Sequence, residues 1–427
     1  MTKVPKKTAV ATKPGSINGL RDIFTQADSH WNQIMGQFHN IGRSYGFLPI
    51  QTPVLEEEKT YTDFFREQPQ MLERTIFTTL GTKSMALRSN VLPAVLRYYA
   101  QNKIYEEQPL SKWFYTSNII EQDERAAAHL NYQFGFEVLG NFNHLSEAQV
   151  ITAVWEFLNR LGLADLQLEI NTLGDVAVQN AYQTVLKDYL KSKDFDLCED
   201  CLNHLNTRPL NVLRCKNLGC QLVVAEAPSP LDYLDESAKQ HFTNILEALD
   251  ELSIPYQLNQ YYVGPAGTTR TNFVIKFMGG KEPIVLGEGA YHDVLLKNIS
   301  GKALPAFGFM GNLSSVTKSL EQAGMEVEKD CTNEVFLVPL GELAAKKSLR
   351  LFRDLVSSKI SVHDHFGSVG VKNQLKAAQD YKAPIALIMG QKEAMDEMVI
   401  LRDVKSGMQE IFSYDKIIEE VKKRLGR

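Results

Sequence analysis

Two runs, "WFYTSNII" at residues 113–120 and "YQFGFEVLG" at 132–140, limit what this chain can fold into more than any other feature. Both are dense in aromatic and β-branched residues, which suit a pleated surface better than a helix. The polar stretch "EQDERAAAHLN" separates them, so the segment predicts two adjacent strands joined by a loop. Along the second strand the side chains alternate. Phe134, Phe136 and Val138 share one face, and Gln133, Gly135 and Glu137 share the other. One face therefore needs an apolar layer against it, while the other carries an amide and a carboxylate.

The flanking sequence supplies that layer. Trp31, Ile34, Met35, Phe38 and Ile41 recur at helical spacing and lead into "YGFLPIQTPVLE", where Pro49 and Pro53 forbid further helix. "FTTLGTKSMALRS" predicts a hairpin turning at Gly81, and "VLPAVLRYYAQNKI" a helix. Residues from about Val176 to Leu252 are helical and charged. "TNFVIKFM" and "PIVLGEGAYHDVLL" then restore strand character, and "LPAFGFMGNLSSV" predicts a short strand, a glycine turn and an amphipathic helix. From about Asn333 strands alternate with helices: "EVFLVPLG", "ELAAKKSLRLFRDLVSS", "ISVHDHF", "GVKNQLKAAQDY", "PIALIMG", "MVILRDV" and a terminal helix. That order predicts a small α/β domain with a largely parallel sheet. A chain of 427 residues is long enough for two or three domains at roughly 100 to 200 residues each.

The first 16 residues hold Lys3, Lys6, Lys7 and Lys13 with no acid before Asp22, which predicts a solvated, disordered tail or a weak nucleic-acid-attracting arm. No apolar run approaches the ~18 residues that cross a bilayer, and the start lacks the apolar block of a secretory signal, so a cytoplasmic protein without membrane contact is expected. A net charge of -5 argues against indiscriminate nucleic-acid binding and leaves room only for a local basic face.

The order of these parts, with the strings "GLRDIF", "YGFLPIQTPVLE", "TRPLNVLRCKN", "APSPLDYLDESAKQHF" and "GVKNQLKAAQDYKAPIALIMGQKEAMDEMVILRDVKSGMQE", resembles histidyl-tRNA synthetases from Gly19 to the C-terminus. The resemblance implies an α+β class II aminoacyl-tRNA synthetase-like antiparallel sheet with helices, plus a C-terminal α/β anticodon-binding-like domain. Its parts would be a tail at 1–16, a core at 17–330 with a helical insertion at about 176–252, and the anticodon-type domain at 331–427. It also implies a homodimer built on "YGFLPIQTPVLE", which resembles class II motif 1.

The activity implied is joining histidine to tRNA through an adenylate. There a carboxylate approaches the α-phosphorus of ATP, so fixed cations and Mg²⁺ must offset the meeting of two anions. The family's arginine strings are altered here. Where motif 2 has Phe-Arg-x-Glu, alignment from Trp113 places Glu121 at the arginine, and alignment from "FEVLG" places Ile119 there, with Arg125 as the nearby cation. The histidine-specific Arg-Gly-Leu-Asp-Tyr-Tyr string appears as "VGPAGT": Gly264 is kept, Val263 replaces the arginine, and Ala266, Gly267 and Thr268 replace Asp-Tyr-Tyr. Arg270, farther along, is expected to face solvent. "LRSNVL" keeps Leu87 and Arg88 but offers Asn90 and Leu92 for an acid and a hydroxyl. At motif 3, Ser315 stands at the arginine, although Leu313, Val316 and Leu320 keep the packing face of the helix. Ala290 replaces another arginine in "LGEGAY", which retains Gly287, Gly289 and Tyr291. Gln133 and Glu137 match the family's Gln-x-x-x-Glu, so by resemblance Gln133, Glu137, Gly264, Gly287 and Gly289 mark the ligand pocket. The other reading is polar residues on a vacant sheet face and glycines that merely bend a strand. ATP and Mg²⁺ are implied by the family, and the altered strings argue against both.

Cys198, Cys201, Cys215 and Cys220 form Cys-x₂-Cys and Cys-x₄-Cys pairs, with Cys331 apart. Four soft ligands at loop spacing suit a closed structural zinc site, which leaves no open position for catalysis. Reduced cysteines in packed positions are the alternative, and redox chemistry a third; without an export signal disulfides are not expected. His129, His292, His363 and His365 are expected on the surface or in packing. Lys372 and Lys376, one helical turn apart, offer a phosphate contact or a solvated face.

The sequence thus predicts a non-catalytic histidyl-tRNA synthetase-like protein acting in tRNA or ligand binding or in regulation, with tRNA or a protein as partner and histidine or another small molecule as ligand. The rivals are an active histidine–tRNA ligase with a diverged site, a regulatory subunit of the ATP phosphoribosyltransferase type, and a purely structural scaffold.

Overall fold

The structure, a computed structural model, describes residues 19–20, 30–123, 125, 127–325, 334–366 and 370–427. The basic stretch 1–16, Arg21 to Phe24 of "GLRDIF", and Cys331 lie outside the described residues. Two compact units divide the chain at 1–327 and 328–427.

In the first unit the strands are β1 (Leu48–Pro49), β2 (Leu55–Glu57), β3 (Phe77–Leu80), β4 (Lys83–Leu87), β5 (Leu110–Gln122), β6 (Ala128–Gly140), β7 (Leu166–Thr172), β8 (Gln257–Leu258), β9 (Thr269–Phe277), β10 (Ile284–Tyr291) and β11 (Ala306–Asn312). Eight of them form one sheet in the order β1-β5-β6-β11-β10-β9-β7-β8, and β2-β4-β3 form a small second sheet. The two founding runs pair antiparallel from Leu110↔Gly140 to Gln122↔Ala128, so the strands consume most of the expected loop.

The apolar face of β6 packs as its alternation requires. Phe38, from the helix Trp31–Ser44, places its ring centroid 4.9 Å from Phe136, 5.2 Å from Phe134 and 5.6 Å from Phe114. Gly42 lets this helix lie against the sheet, because a Cβ there would sit 2.8 Å from the Phe114 ring. Burying each such ring contributes about 1.5–3 kcal/mol, with roughly 0.5–1.5 kcal/mol more for each well-placed aromatic pair. The opposite face meets Leu92, Val95, Leu96 and Tyr99 of the helix Leu92–Gln101 near one end.

Asp175 and Asp235 cap the helices Val176–Lys191 and Glu236–Glu251, which open and close the insertion. Their carboxylates accept from Val178 N at 3.0 Å and Ala238 N at 2.7 Å, satisfying amides that the first helical turn leaves unpaired.

Three expectations are corrected here. Strand character ends at Tyr291, and residues Asp293–Ser300 are a helix that buries Leu295 and Leu296 and stops at Gly301, whose φ is +73°. No glycine turn interrupts "LPAFGFMGNLSSV". Gly308 and Gly311 lie inside β11, where a Cβ at Gly311 would fall 2.4 Å from the Phe134 ring, and Asn312 caps the helix Leu313–Gln322. The third concerns the second unit.

That unit contains β12 (Val335–Pro339), β13 (Val362–Asp364), β14 (Ile385–Met389), β15 (Met398–Asp403) and β16 (Gln409–Ser413), ordered β13-β12-β14-β15-β16. The β12–β13 and β12–β14 pairings are parallel and the other two antiparallel, so the sheet is mixed. The unforeseen β16 is a largely polar edge strand. A turn in which Asp403 accepts from Ser406 N at 2.6 Å folds it back on β15.

Candidate functional site

On the side of the eight-stranded sheet away from the Phe38 layer, a cavity of about 390 Å³ opens over β5, β6, β10 and β11. Gln133, Gly287 and Gly289 line it, together with Glu121, Ser315 and Ala290, the residues at three of the altered arginine positions. Ile119, the other motif 2 alignment, is also in the lining. Glu137 and Gly264 are placed elsewhere.

Glu121 reaches the cavity from the end of β5, where its backbone bridges to Thr75. Burial raises its pKa, and the neighbouring Arg74 and His129 pull it back. Arg74 is the one cation among the described lining residues, and its Nε lies 3.9 Å from the Glu121 carboxylate. Gln133 spends its carboxamide oxygen on the backbone N–H of Val91 at 2.7 Å. Arg88 is buried and donates to Asn118 O at 2.8 Å, Thr52 O at 2.9 Å and the Asn118 side chain at 2.5 Å. It staples three segments together and leaves no fork for a phosphate.

Glu137 lies beneath the cavity, fully buried opposite Gly308 of β11. A Cβ at Gly308 would come within 1.9 Å of its Oε2, so only glycine admits this carboxyl. Tyr115 donates to Oε1 at 3.4 Å, and Oε2 has no hydrogen-bond partner among the described residues. Burial pushes the Glu137 pKa well above the usual carboxylate range, more than the Tyr115 hydrogen bond lowers it. His292 Nε2 stands 3.7 Å away. This histidine lines the cavity, is 4% exposed, and has neither ring nitrogen bonded among the described residues; burial lowers its pKa to about 3. Burial disfavours the charged form of both groups, so the carboxyl and the imidazole can hydrogen-bond a polar ligand but offer a phosphate no favoured cation.

The glycines have a packing duty. A Cβ at Gly289 would strike the Phe273 ring at 2.1 Å, and one at Gly287 the Phe309 ring at 2.3 Å, so both let β10 lie close over the aromatic layer. Between them, Glu288 accepts from Arg214 at 3.1 Å and from the Tyr262 hydroxyl at 3.1 Å. Gly264 lines a neighbouring groove with Gly267 and Arg208.

The spare cations do not enter the lining. Arg125 is exposed near the tip of the β5–β6 hairpin. Arg270, expected in solvent, is half-buried, with its guanidinium 5.0 Å over the Tyr291 ring and beside His241 in a separate cavity of about 170 Å³. His129 is exposed and 3.1 Å from Asp123, while His363 is half-buried with its ring 5.2 Å from Tyr381.

In the insertion, Cys198, Cys201, Cys215 and Cys220 come together, with their four sulfurs all within 4.8 Å of one another. The cluster can hold a metal ion.

Sequence reasoning missed Arg74, His292 and Tyr115 as parts of the site. Arg74 arrives at the end of a 3₁₀ turn, Pro69–Arg74, that no periodicity announces. Tyr115 was legible, since antiparallel pairing brings β5 beside the Glu137 strand.

Comparison with known proteins agrees with the fold. Residues 19–316 match the family model described as histidyl-tRNA synthetase, and residues 334–424 match the anticodon binding domain. Histidine–tRNA ligases of Dehalococcoides mccartyi and Halothermothrix orenii are each 29% identical, over 96% and 95% of this chain and 99% and 98% of theirs. Among solved structures, the apo histidyl-tRNA synthetase of S. aureus superposes with a TM-score of 0.79 at 24% identity, covering 96% of this chain and all (100%) of its own. A Bacillus halodurans protein described as an ATP phosphoribosyltransferase regulatory subunit/histidyl-tRNA synthetase gives 0.63 at 16% identity, with 90% and 99% covered.

Proposed function

The chain belongs to the histidyl-tRNA synthetase family, and we propose that it is a member that no longer activates histidine and works instead by binding. The observation that carries this reading is the cavity at Glu121, Ala290 and Ser315, whose one described lining cation, Arg74, already faces Glu121. Adenylation depends on preorganised positive charge, and removing one such donor typically slows a reaction about 10²- to 10³-fold. Losing several from one pocket leaves no means of drawing ATP and a carboxylate together. The reading therefore assigns neither ATP nor Mg²⁺ to the cavity, and leaves zinc in the insertion as the cofactor of the chain.

The cavity keeps the Gln133 amide and the buried His292 imidazole in its lining, with the Glu137 carboxyl beneath it, and these groups suit histidine or another small polar molecule. The unit matching the anticodon binding domain supports tRNA as the macromolecular partner. Lys372 and Lys376 are exposed on one side of the helix Val371–Asp380, where Gln374 and Ala378 are buried, so phosphate contact fits that face. A cytoplasmic homodimer is the assembly the family favours. The rival reading, an active histidine–tRNA ligase, is favoured by the near-full-length match to proteins of that name. A regulatory role is favoured by the likeness to the Bacillus halodurans protein.

Histidine-dependent pyrophosphate exchange with ATP and Mg²⁺, beside calorimetric titration of histidine, separates these. The expected exchange is background, on the order of 10³-fold or more below an active synthetase. Exchange comparable to an active synthetase overturns the proposal. With no exchange, histidine binding selects the sensor reading, and no histidine binding shifts the search to tRNA or protein partners.

A further inference from the structure

We propose that Cys198, Cys201, Cys215 and Cys220 bind one zinc ion in a closed tetrahedral thiolate site, and that this ion fixes the part of the insertion from which Arg214 reaches Glu288. The metal part stands apart from the reading of the cavity; the Arg214 part rests on that cavity being a binding site.

The sulfurs are placed for a metal rather than for disulfides. Cys198 Sγ and Cys215 Sγ are 3.8 Å apart. A disulfide needs about 2.05 Å, whereas a tetrahedron with zinc–sulfur bonds of about 2.3 Å has sulfur–sulfur edges of about 3.8 Å. All four sulfurs lie within 4.8 Å of one another, so a small inward movement closes the remaining edges.

The backbone around them is arranged alike on both sides. Cys198 immediately precedes the helix Glu199–Leu205 and Cys201 lies in its first turn; Cys215 follows the 3₁₀ turn Pro209–Arg214, and Cys220 lies in the first turn of the helix Leu218–Ala225. Two backbone amides already aim at sulfur: Cys198 N at Cys220 Sγ, 3.2 Å, and Asn217 N at Cys215 Sγ, 3.4 Å. Such N–H groups share the charge that four thiolates leave on a zinc centre. Binding balances simply, since four thiols give their protons to solvent as four Zn–S bonds form and no electron moves.

The local packing gives the ion a task. The insertion core is small, with Leu186, Leu190, Leu205, Val212 and Val223 around the buried Cys201 and Cys220. Its segments between residues 194 and 225 are single turns and short helices that cannot hold one another by length. Arg214, next to Cys215, donates to both Glu288 oxygens, at 3.1 and 3.4 Å. A metal that fixes Cys215 thereby fixes the guanidinium beside the cavity.

The test uses the full chain, expressed with zinc and purified under reducing conditions. Metal analysis is expected to give about one zinc per chain, and cobalt exchange to give the strong absorption of a tetrahedral thiolate site. Cys215→Ser should lose both, and Cys331→Ser should keep both. If Cys215→Ser fails to fold, native alkylation of the wild type decides: zinc should protect four cysteines, and a chelator should expose them together. Hydrogen exchange after metal removal should quicken in residues 194–226 and around Glu288. A metal-free wild type, iron in place of zinc, cobalt absorption that survives Cys215→Ser, or alkylation unaffected by a chelator would each overturn the zinc site. Quickened exchange confined to 194–226, with zinc present beforehand, would overturn only the Arg214 link.

Discussion

The two faces of the β5–β6 hairpin solve opposite problems with neighbouring residues. Phe136 looks toward the helix Trp31–Ser44, with ring centroids 4.9 Å from Phe38 and 5.0 Å from Phe47. Glu137, the next residue, looks the other way and is equally buried, yet one of its oxygens has no partner among the described residues. Dispersion is shared among many neighbours, so an apolar face tolerates approximate company. A buried polar atom needs a particular partner, and one left without it stands out at once.

The largest expected effect is on the apolar face. Phe136→Ala removes a ring enclosed by three other rings and should cost about 3–5 kcal/mol in chemical unfolding. A loss under about 1 kcal/mol would break the contrast, because the rings would then be filler rather than a fixed layer.

The polar face should respond with the opposite sign. The Glu137 pKa is raised above that of the unfolded chain, chiefly by burial. A raised carboxyl contributes fully below the unfolded pKa of about 4.5, and that contribution is lost as pH climbs toward the folded value. Glu137→Gln keeps the shape without the proton. It should therefore be more stable than the wild type at pH 7, with an advantage growing by about 1.4 kcal/mol per pH unit across that window. Equal pH dependence of the two proteins would show that folding leaves the Glu137 pKa unshifted and would remove the contrast.

How much of this was legible follows the same division. The alternation of Phe134, Phe136 and Val138 and the helical spacing of Ile34, Phe38 and Ile41 gave the sheet and its covering helix, because burial writes itself as periodicity. The helix Asp293–Ser300 was hidden because the apolar "VLL" suits a strand as well as a helix, and only Gly301 marks its end. The polar site was legible in part. Gln133, Gly287 and Gly289 line the cavity, but whether Glu137 meets ligand or lies under it depends on Gly308, which the chain brings from 171 positions away in sequence (308 minus 137). Arg74 depends likewise on the bridge between Thr75 and Glu121.

His292 sharpens the comparison from the acid side. Burial lowers its pKa from 6.5 to about 3, so the unfolded chain binds a proton that the fold refuses. Stability from this residue is complete above pH 6.5 and falls as pH drops toward 3, by on the order of 2 kcal/mol at pH 5. His292→Gln should flatten that limb in unfolding curves between pH 7 and 5. An unchanged limb would mean that a carboxylate elsewhere sets the acid sensitivity.

The smallest effect on stability is expected at Ser315, in the first turn of the helix Leu313–Gln322, half-buried on the cavity lining while Leu313, Val316 and Leu320 hold the helix. Ser315→Arg adds a side chain over open space and should shift the unfolding free energy by no more than about 0.5 kcal/mol. With Glu121→Arg it returns two cations to the pocket, and calorimetry should then detect ATP where the wild type gives no heat. That pairing of a near-zero change in stability with a new affinity is what a retained scaffold with a discharged site requires. If the doubly substituted protein folds normally and still ignores ATP, the missing arginines are not sufficient to explain the cavity, and the buried pair of Glu137 and His292 becomes the feature that excludes a nucleotide.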